Sequence, residues 1–263
     1  MTKILLVGCG KMGSAMLAGW LERGTSPGDV VVVEPSCPDL GSVRVVASHA
    51  AIPEGFVPHV VIFAVKPQVM ADVVPPYARF GTSLFLSIAA GKTIAFFRSL
   101  LGPDAVIVRA MPNTPAAVRR GITVCCAEAS VPAQARDLCG SLLEAVGEVG
   151  WVDDEALMDV VTAVSGSGPA YIFLLAEAME AAGLAQGLPP ALAERLARAT
   201  VAGAGELLRL SSETTQQLRQ NVTSPGGTTA AALAVLMAEK NGIPGLMSEA
   251  VAAATRRGRE LAG

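Results

Sequence analysis

The first part of the chain alternates short apolar runs with segments of helical periodicity. The runs are rich in Val, Ile and Leu, which is typical of strands buried on both faces of a sheet. They cover residues 3–7, 30–34, 60–65, 84–88, 105–110, 121–127 and 147–152. Helical patterns such as 14–23 and 132–145 lie between them. This alternation predicts a mainly parallel sheet with helices on both faces.

The pattern changes at about Asp153, after which each segment has the composition of a helix. We predict helices over about 154–164, 169–186, 190–209, 213–221, 228–239 and 244–261, separated by Gly, Pro and Ser clusters. The predicted fold class is therefore α/β plus all-α. A dinucleotide-binding domain would span residues 1–152, and a helical domain would span residues 153–263.

Composition narrows the class of partner. The mean hydropathy of +0.48 comes from Ala, Val and Leu, with 4% aromatic residues, which suggests tight packing and a large subunit interface. The net charge of -3 gives no reason to expect nucleic acid or an acidic membrane surface. The least polar stretch, 160–176, is interrupted by Ser165 to Pro169, so we expect no membrane span.

The cysteines and histidines argue against a metal site. Five cysteines without paired metal-ligand spacing are typical of reduced thiols in a cytoplasmic protein. His49 and His59 are the only histidines, and neither lies in a ligand-like cluster. The apolar run after Lys3 is broken at Gly8, so we do not expect it to act as a signal peptide.

A G-x-G-x-x-G motif follows the first predicted strand and opens the first helix. Its residues are Gly8, Gly10, Lys11, Met12 and Gly13, with Cys9 as the first variable position. In this context the glycines allow a tight turn, the approach of a pyrophosphate and close packing of helix on strand. The motif predicts an NAD(P)-binding domain of the Rossmann type.

Glu34 ends the second predicted strand, 21 residues beyond Gly13. An acidic residue there usually accepts a hydrogen bond from the adenosine ribose and repels a 2′-phosphate, which favours NADH. Ser36 nearby could weaken that preference. The alternative is a solvated charge at the end of a strand.

Two later strands end in polar loops at the expected ligand edge of the sheet. Lys66 could contact the ribose or the nicotinamide, although a capped strand end is an equal alternative. Asn113 lies between two prolines and offers a donor and an acceptor to a carboxamide. The predicted coenzyme contacts in these loops are Ala64, Val65, Lys66, Pro67, Met111, Asn113 and Thr114.

A turn of small residues, Thr223 to Thr229, precedes a helix rich in Ala and Leu. Uncapped N–H groups and the helix dipole make such a place a candidate site for a carboxylate. The candidate substrate contacts are Ser224, Gly226, Gly227, Thr228 and Thr229. Locally, a plain N-cap is the alternative.

No lysine occurs from Gly121 through Glu239. The β-hydroxyacid dehydrogenases share this two-part layout but place a catalytic lysine in the helical half. Reducing a C=N bond that is already protonated needs less acid catalysis than reducing a ketone. Hydroxyls without a strong acid therefore favour an imine substrate.

The chain resembles the pyrroline-5-carboxylate reductases of proline biosynthesis. The resemblance rests on the glycine motif, on Val65-Lys66-Pro67 and on the stretches 109–115, 166–171 and 222–229. The last stretch corresponds to the family signature. The resemblance implies NAD(P)H-dependent reduction of a small-molecule substrate, L-1-pyrroline-5-carboxylate, to L-proline.

The resemblance also implies roles and an assembly. Ser224, Thr228 and Thr229 would surround the substrate carboxylate, with the Thr229 hydroxyl near the ring nitrogen as the catalytic candidate. Lys66, Asn113 and Pro115 would frame the nicotinamide. A homodimer with interlocked helical domains is implied, with a decamer of five dimers common in the family.

Three questions stay open at this point. Many members of the family prefer NADPH, whereas Glu34 favours NADH. The substrate could be another cyclic imine or a short keto acid. A nucleotide-binding protein without catalytic activity is the alternative from another class, although the intact glycine motif and turn argue against it.

Overall fold

The computed structural model describes residues 2–262 and contains one eight-stranded sheet. The strands are β1 (Ile4–Val7), β2 (Val30–Val33), β3 (Arg44–Val46), β4 (Val60–Phe63), β5 (Leu84–Ser87), β6 (Val106–Met111), β7 (Gly121–Ala127) and β8 (Gly147–Val152). Their order is β3-β2-β1-β4-β5-β6-β7-β8. All neighbours are parallel except β6 and β7, which confirms a mainly parallel sheet.

α-Helices alternate with the strands and make up most of the chain after β8. They are α1 (Lys11–Glu22), α2 (Met70–Val73), α3 (Ile94–Leu101), α4 (Ala133–Leu143), α5 (Met158–Val161), α6 (Gly168–Ala185), α7 (Pro190–Leu210), α8 (Thr215–Asn221), α9 (Thr228–Leu236) and α10 (Ile243–Ala262). β3 and α3 were not predicted from the sequence pattern. β3 has only three residues at the sheet edge, and α3 is a short helix capped by Thr93, whose side chain accepts a hydrogen bond from Phe96 N.

The core lies on both faces of the sheet because the central strands are apolar at every position. Ile4 and Leu6 pack into one cluster, whereas Leu5 and Val7 pack into the other, as the two-residue repeat of a strand requires. The second cluster contains an aromatic centre, in which Phe63 lies 5.5 Å from Tyr77 and 5.8 Å from Phe97, measured between ring centroids. The sheet therefore has a complete core of its own.

The chain divides into two compact units, Met1–Gly166 with Ala254–Gly263, and Ser167–Ala253. The change to all-helical structure comes near Asp153, as predicted, but α5 packs with the sheet because Met158 is fully buried in its second cluster. The domain boundary at 152/153 remains a prediction. Of the helices in the second unit, α6, α8 and α9 bury no residue, and α7 buries only Ala193 and Ala197.

The stretch Glu155–Ala185 is, by length and composition alone, apolar enough to cross a membrane. It is mostly exposed and is not one regular helix, because a π-helical turn, Thr162–Gly166, and Ser167 separate α5 from α6. Its exposed side chains include Phe173 and Leu174, at 61% and 64%. This apolar surface requires an explanation outside the single chain.

Candidate active site

The loop between β1 and α1 contains three glycines with different surroundings. Gly8 has a φ of +93°, and a Cβ there would lie 2.7 Å from Val65 Cγ1 and 2.9 Å from the Ala64 carbonyl. A Cβ on Gly13 would lie 2.5 Å from Gly8 O. Gly10 has nothing within 4 Å of such a Cβ. The outer glycines thus permit close packing, and the middle one leaves the backbone open to a ligand.

Helix α1 starts at this loop without a side-chain cap. Its N-cap residue is Gly10, whose carbonyl accepts the first helical hydrogen bond from Ser14 N at 2.9 Å. Lys11 is exposed, and Met12 packs against the core below. The uncapped N-terminus, the helix dipole and a lysine suit a pyrophosphate. The structure therefore brings the predicted phosphate-binding residues together.

Glu34 follows β2 directly, and its carboxylate faces the glycine loop. Oε2 accepts a hydrogen bond from Cys9 N at 2.9 Å, and Oε1 accepts one from Ser36 Oγ at 3.3 Å. Burial, followed by the Glu34 charge, raises the pKa of the Cys9 thiol. Glu34 thus links two loops rather than ending a strand as a solvated charge, and the thiol stays neutral beside it.

The loop after β4 forms the opposite side of the glycine loop. β4 ends at Phe63, two residues earlier than the predicted strand, and Ala64 and Val65 turn towards Gly8. Lys66 is exposed, and Pro67 begins a short 3-10 turn. Lys66 therefore belongs to the loop at the carboxyl end of the sheet and not to the strand.

Asn113 lies just beyond β6, and its amide already has protein partners. Nδ2 donates to the Ser165 carbonyl at 3.1 Å, and Oδ1 accepts from Ile122 N at 2.9 Å. One Nδ2 hydrogen remains for a ligand. Thr114 is exposed at the start of the following 3-10 turn, and Met111 is the last residue of β6.

A buried ion pair near this loop was missed by sequence reasoning. Arg109 is 3% exposed, and its Nη1 lies 3.0 Å from Glu155 Oε1. The same oxygen accepts Ile94 N at 2.9 Å, and Asp159 Oδ1 lies 4.0 Å from Arg109 Nη2. The available signal was a single charge in an otherwise apolar strand, because a buried arginine requires a carboxylate partner.

The turn before α9 belongs to the helical unit. Gly226 has a φ of +68°, Gly227 N donates to Ser224 O at 3.0 Å, and a Cβ on Gly227 would overlap Ser224 Oγ. Gly227 is the N-cap residue of α9 and provides no side-chain cap. The plain N-cap alternative therefore loses its main support, since no side chain bonds the first-turn N–H groups.

The hydroxyl groups of this turn differ in availability. Thr223 Oγ1 donates to Arg219 O at 2.6 Å, so it stabilises the entry to the turn. Ser224 and Thr228 are exposed, and Thr229 is partly buried. No charged residue occurs from 223 to 229. A carboxylate would therefore meet neutral donors and the positive end of α9.

The histidines and the clefts lie away from these loops. His59 Nδ1 accepts Lys3 N at 2.9 Å, and His49 packs against the Tyr77 ring. Within residues 2–262, no group of three potential metal ligands is found. Two clefts of about 500 and 430 Å³ lie beside α4 and contain no predicted site residue.

A dinucleotide loop on a parallel sheet, with an uncapped hydroxyl-bearing turn in a helical unit, defines a nicotinamide-nucleotide-dependent oxidoreductase. A family model described as pyrroline-5-carboxylate reductase dimerisation matches residues 155–261, and one described as NADP oxidoreductase, coenzyme F420-dependent, matches residues 3–91. The chain belongs to the pyrroline-5-carboxylate reductase family.

Individual relatives cover nearly the whole chain. The pyrroline-5-carboxylate reductase of Pseudomonas aeruginosa is 39% identical, over 99% of this chain and 97% of its own. The structure of a pyrroline-5-carboxylate reductase from Coxiella burnetii has a TM-score of 0.90 and 34% identity, with 100% and 99% of the two chains covered. The Plasmodium falciparum enzyme with NADP bound has a TM-score of 0.85 and 29% identity, with 100% and 98% covered.

Proposed function

We propose that this protein reduces L-1-pyrroline-5-carboxylate to L-proline with NAD(P)H. Membership of the family supports this reaction, in which the C=N bond of the ring accepts one hydride at carbon and retains one proton at nitrogen. The observation that carries the proposal is the turn before α9, whose uncapped helix N-terminus and hydroxyls offer neutral hydrogen-bond donors to a carboxylate. When bound, the reduced nicotinamide supplies the hydride.

The residues of the turn orient the substrate. The α9 N-terminus, with Ser224, Gly226, Gly227 and Thr228, holds the carboxylate through backbone and hydroxyl donors. The Thr229 hydroxyl assists at the ring nitrogen and stabilises the proton there. Because this segment contains no titratable side chain, its contribution is orientation and hydrogen bonding rather than acid catalysis.

The glycine loop and its neighbours hold the coenzyme. The open backbone at Gly10 and the α1 N-terminus bind the pyrophosphate, with Lys11 adding charge. The remaining contacts are proposed at Gly8, Met12, Gly13, Glu34, Ser36, Ala64, Val65, Lys66, Pro67, Met111 and Thr114, and the loop 111–115 borders the nicotinamide. The carboxylate of Glu34, held by Cys9 N, favours NADH over NADPH.

The exposed apolar helices support a homodimer. The dimerisation model matches the segment that holds Phe173 and Leu174, whose side chains are mostly exposed in the single chain. Pairing of two helical units would bury this apolar surface against protein, so contact with lipid would not be required to cover it. Assembly of five dimers into a decamer, and a cytoplasmic location compatible with the five free thiols, are further parts of the proposal.

A coupled assay tests the reaction. Purified protein with L-1-pyrroline-5-carboxylate should consume NADH or NADPH and form L-proline in equal amounts. Turnover of a keto acid but not of this imine would contradict the proposal. Coenzyme binding without any turnover would favour a nucleotide-binding role instead.

The role of Thr229 has its own test. Thr229→Ala should lower kcat by about a hundredfold, as loss of a positioned donor does elsewhere. Thr229→Ser keeps the hydroxyl and should retain most of the activity. Equal kcat in Thr229→Ala and the parent protein would remove Thr229 from the mechanism.

A further inference from the structure

Three alternating residues of β6 and its extension make contacts with one segment of the sheet unit. Arg109, Met111 and Asn113 share a strand face, since Asn113 retains an extended backbone with φ -128° and ψ 166°. All three touch the segment 155–166, which contains α5 and the π-helical turn. We call this segment the strut. The end of β6 is thus held to the strut at successive positions.

The Asn113 amide fits its two partners by chemistry. Ser165 lies in the last turn of the strut, where helical carbonyls have no partner within the helix, and Asn113 Nδ2 donates to its carbonyl. Ile122 N, at the start of β7, donates to Asn113 Oδ1. One side chain therefore satisfies a backbone acceptor and a backbone donor from two separate segments.

Two further contacts limit movement of the same loop. The end of the Met111 side chain lies 2.6 Å from the position of a Cβ on Gly166, so only glycine leaves it this space. At the far end of the loop, Arg119 adopts a φ of +58° and bonds Glu22 at 2.7 and 3.1 Å. A non-glycine residue with a positive φ is held in that backbone conformation by its surroundings. The loop is thus anchored at both ends.

We propose that Asn113 is a positioning residue, which fixes the loop 111–115 and the strut in one geometry, rather than a residue that binds the coenzyme directly. This inference rests on the proposed function, in which that loop borders the nicotinamide. A shift of the loop would misplace the nicotinamide ring while leaving the adenosine end on the glycine loop unaffected. The effect should therefore fall on kcat and not on adenosine binding.

The Asn113→Asp variant provides a pH-dependent test. Ionised aspartate still accepts Ile122 N–H but places negative charge against the Ser165 carbonyl, so kcat at saturating coenzyme should fall by about tenfold to a hundredfold at pH 8. Protonated aspartic acid can donate to that carbonyl. The kcat ratio of variant to parent should therefore rise as pH falls towards the pKa of the new carboxyl.

Other readouts separate positioning from coenzyme binding. In Asn113→Ala, kcat should fall while the Kd for ADP-ribose stays within about twofold, because the glycine loop is unchanged. Gly166→Ala should change kcat in the same direction but by less than Asn113→Ala does, because the flexible end of the Met111 side chain can swing aside. Val118→Ala, in the same loop and 69% exposed, is the control and should retain full kcat.

The contradicting outcomes are distinct. An unchanged kcat with a raised Kd for NAD(P)H would make Asn113 a coenzyme ligand and overturn the proposal. A kcat ratio for Asn113→Asp that does not change with pH would also overturn it. Hydrogen exchange at the Ile122 amide tests the anchor without any activity, since it should accelerate in Asn113→Ala. Unchanged exchange would refute the anchor, whereas absence of turnover in the parent protein would refute only the proposed reaction.

Discussion

The sheet unit and the helical unit bury their apolar residues in different ways. In the sheet unit, all four residues of each of the strands β1, β2, β4 and β5 are buried, and core side chains cover both faces of the sheet. In the helical unit, the long helices α6 and α7 together bury only Ala193 and Ala197. The apolar composition therefore has two origins, a core in one unit and an exposed surface in the other.

The two turns that are proposed to bind ligands differ in the same way. Both begin a helix without a side-chain cap, at Gly10 and at Gly227. The first is built into a core, because Gly8 and Gly13 contact backbone atoms directly. The second lies on a unit that lacks a core within one chain. The conformation of the glycine loop should therefore be determined within its own unit. The conformation of the turn 223–229 should depend on a partner subunit.

The largest effect is expected at Gly13. Gly13→Ala places a Cβ 2.5 Å from Gly8 O, a backbone atom that cannot move aside easily, so we expect a loss of about 1–3 kcal/mol in unfolding free energy. Coenzyme binding should be lost with it. Urea unfolding and NAD(P)H titration measure the two effects.

Gly10→Ala is the matched control for that prediction. Nothing lies near its Cβ, so stability should stay close to the parent value while pyrophosphate binding weakens. A Gly13→Ala protein as stable and as tight in coenzyme binding as the parent would contradict the assigned glycine roles.

The next effect tests the helical unit. Leu174→Asp puts a charge on a side chain that is 64% exposed in the single chain, and it should convert a dimer to monomers. Light scattering measures the mass, and proline formation should fall together with it. Glu177→Gln on the same helix should leave the dimer intact. A dimeric Leu174→Asp protein would mean that α6 does not form the interface.

A smaller effect concerns the coenzyme. Glu34→Ser removes the carboxylate that Cys9 N and Ser36 hold, so kcat/KM with NADPH should rise by about tenfold relative to NADH. The exposed Glu54→Ser is the control. No gain with NADPH would mean that Glu34 does not discriminate between the coenzymes.

The smallest effect concerns an exposed ion pair in the sheet unit. The pair joins Arg98 and Glu128, and the hydrogen bond from Arg98 lowers the pKa of the Glu128 carboxyl below its ordinary value of 4.5. A lowered pKa in the folded state stabilises the protein above pH 4.5, and this contribution disappears as pH falls through the lowered value. Because both side chains are about a third exposed or more, at 32% and 42%, we expect only about 0.2–1 kcal/mol.

Thermal unfolding of the parent protein and Glu128→Gln at several pH values measures this contribution. The Tm difference should be present at pH 7 and should shrink as pH falls below 4.5. A difference that grows on acidification would have the wrong sign for a carboxylate stabilised by Arg98.

Sequence patterns predicted the sheet unit well because local rules and burial agree there. The run 121–127 matched β7, and the spacing of Gly8, Gly10 and Gly13 matched three distinct environments. The strand β3 was not predicted, because three residues are too few to show the two-residue repeat of a strand. The partners of Asn113 were not predicted, since Ser165 lies 52 residues away and Ile122 belongs to the next strand.

For the turn 223–229, the local sequence pattern was a poor guide. Its local pattern favoured an ordinary cap, whereas the nucleotide-binding half, the missing lysine and the family resemblance together favoured a binding site. In the structure α9 begins without a side-chain cap, because its N-cap residue is Gly227. The ion pair of Arg109 and Glu155 was not predicted, because its two residues lie 46 positions apart in the chain.

A crystal structure with L-proline and NADP⁺ bound tests the central claim most directly. We predict that the proline carboxylate lies within hydrogen-bond distance of the α9 N-terminus and of Ser224, Thr228 or Thr229, while the pyrophosphate lies on the loop at Gly10. A carboxylate bound at the Gly8 loop, or a turn from 223 to 229 that contacts no ligand, would contradict the account.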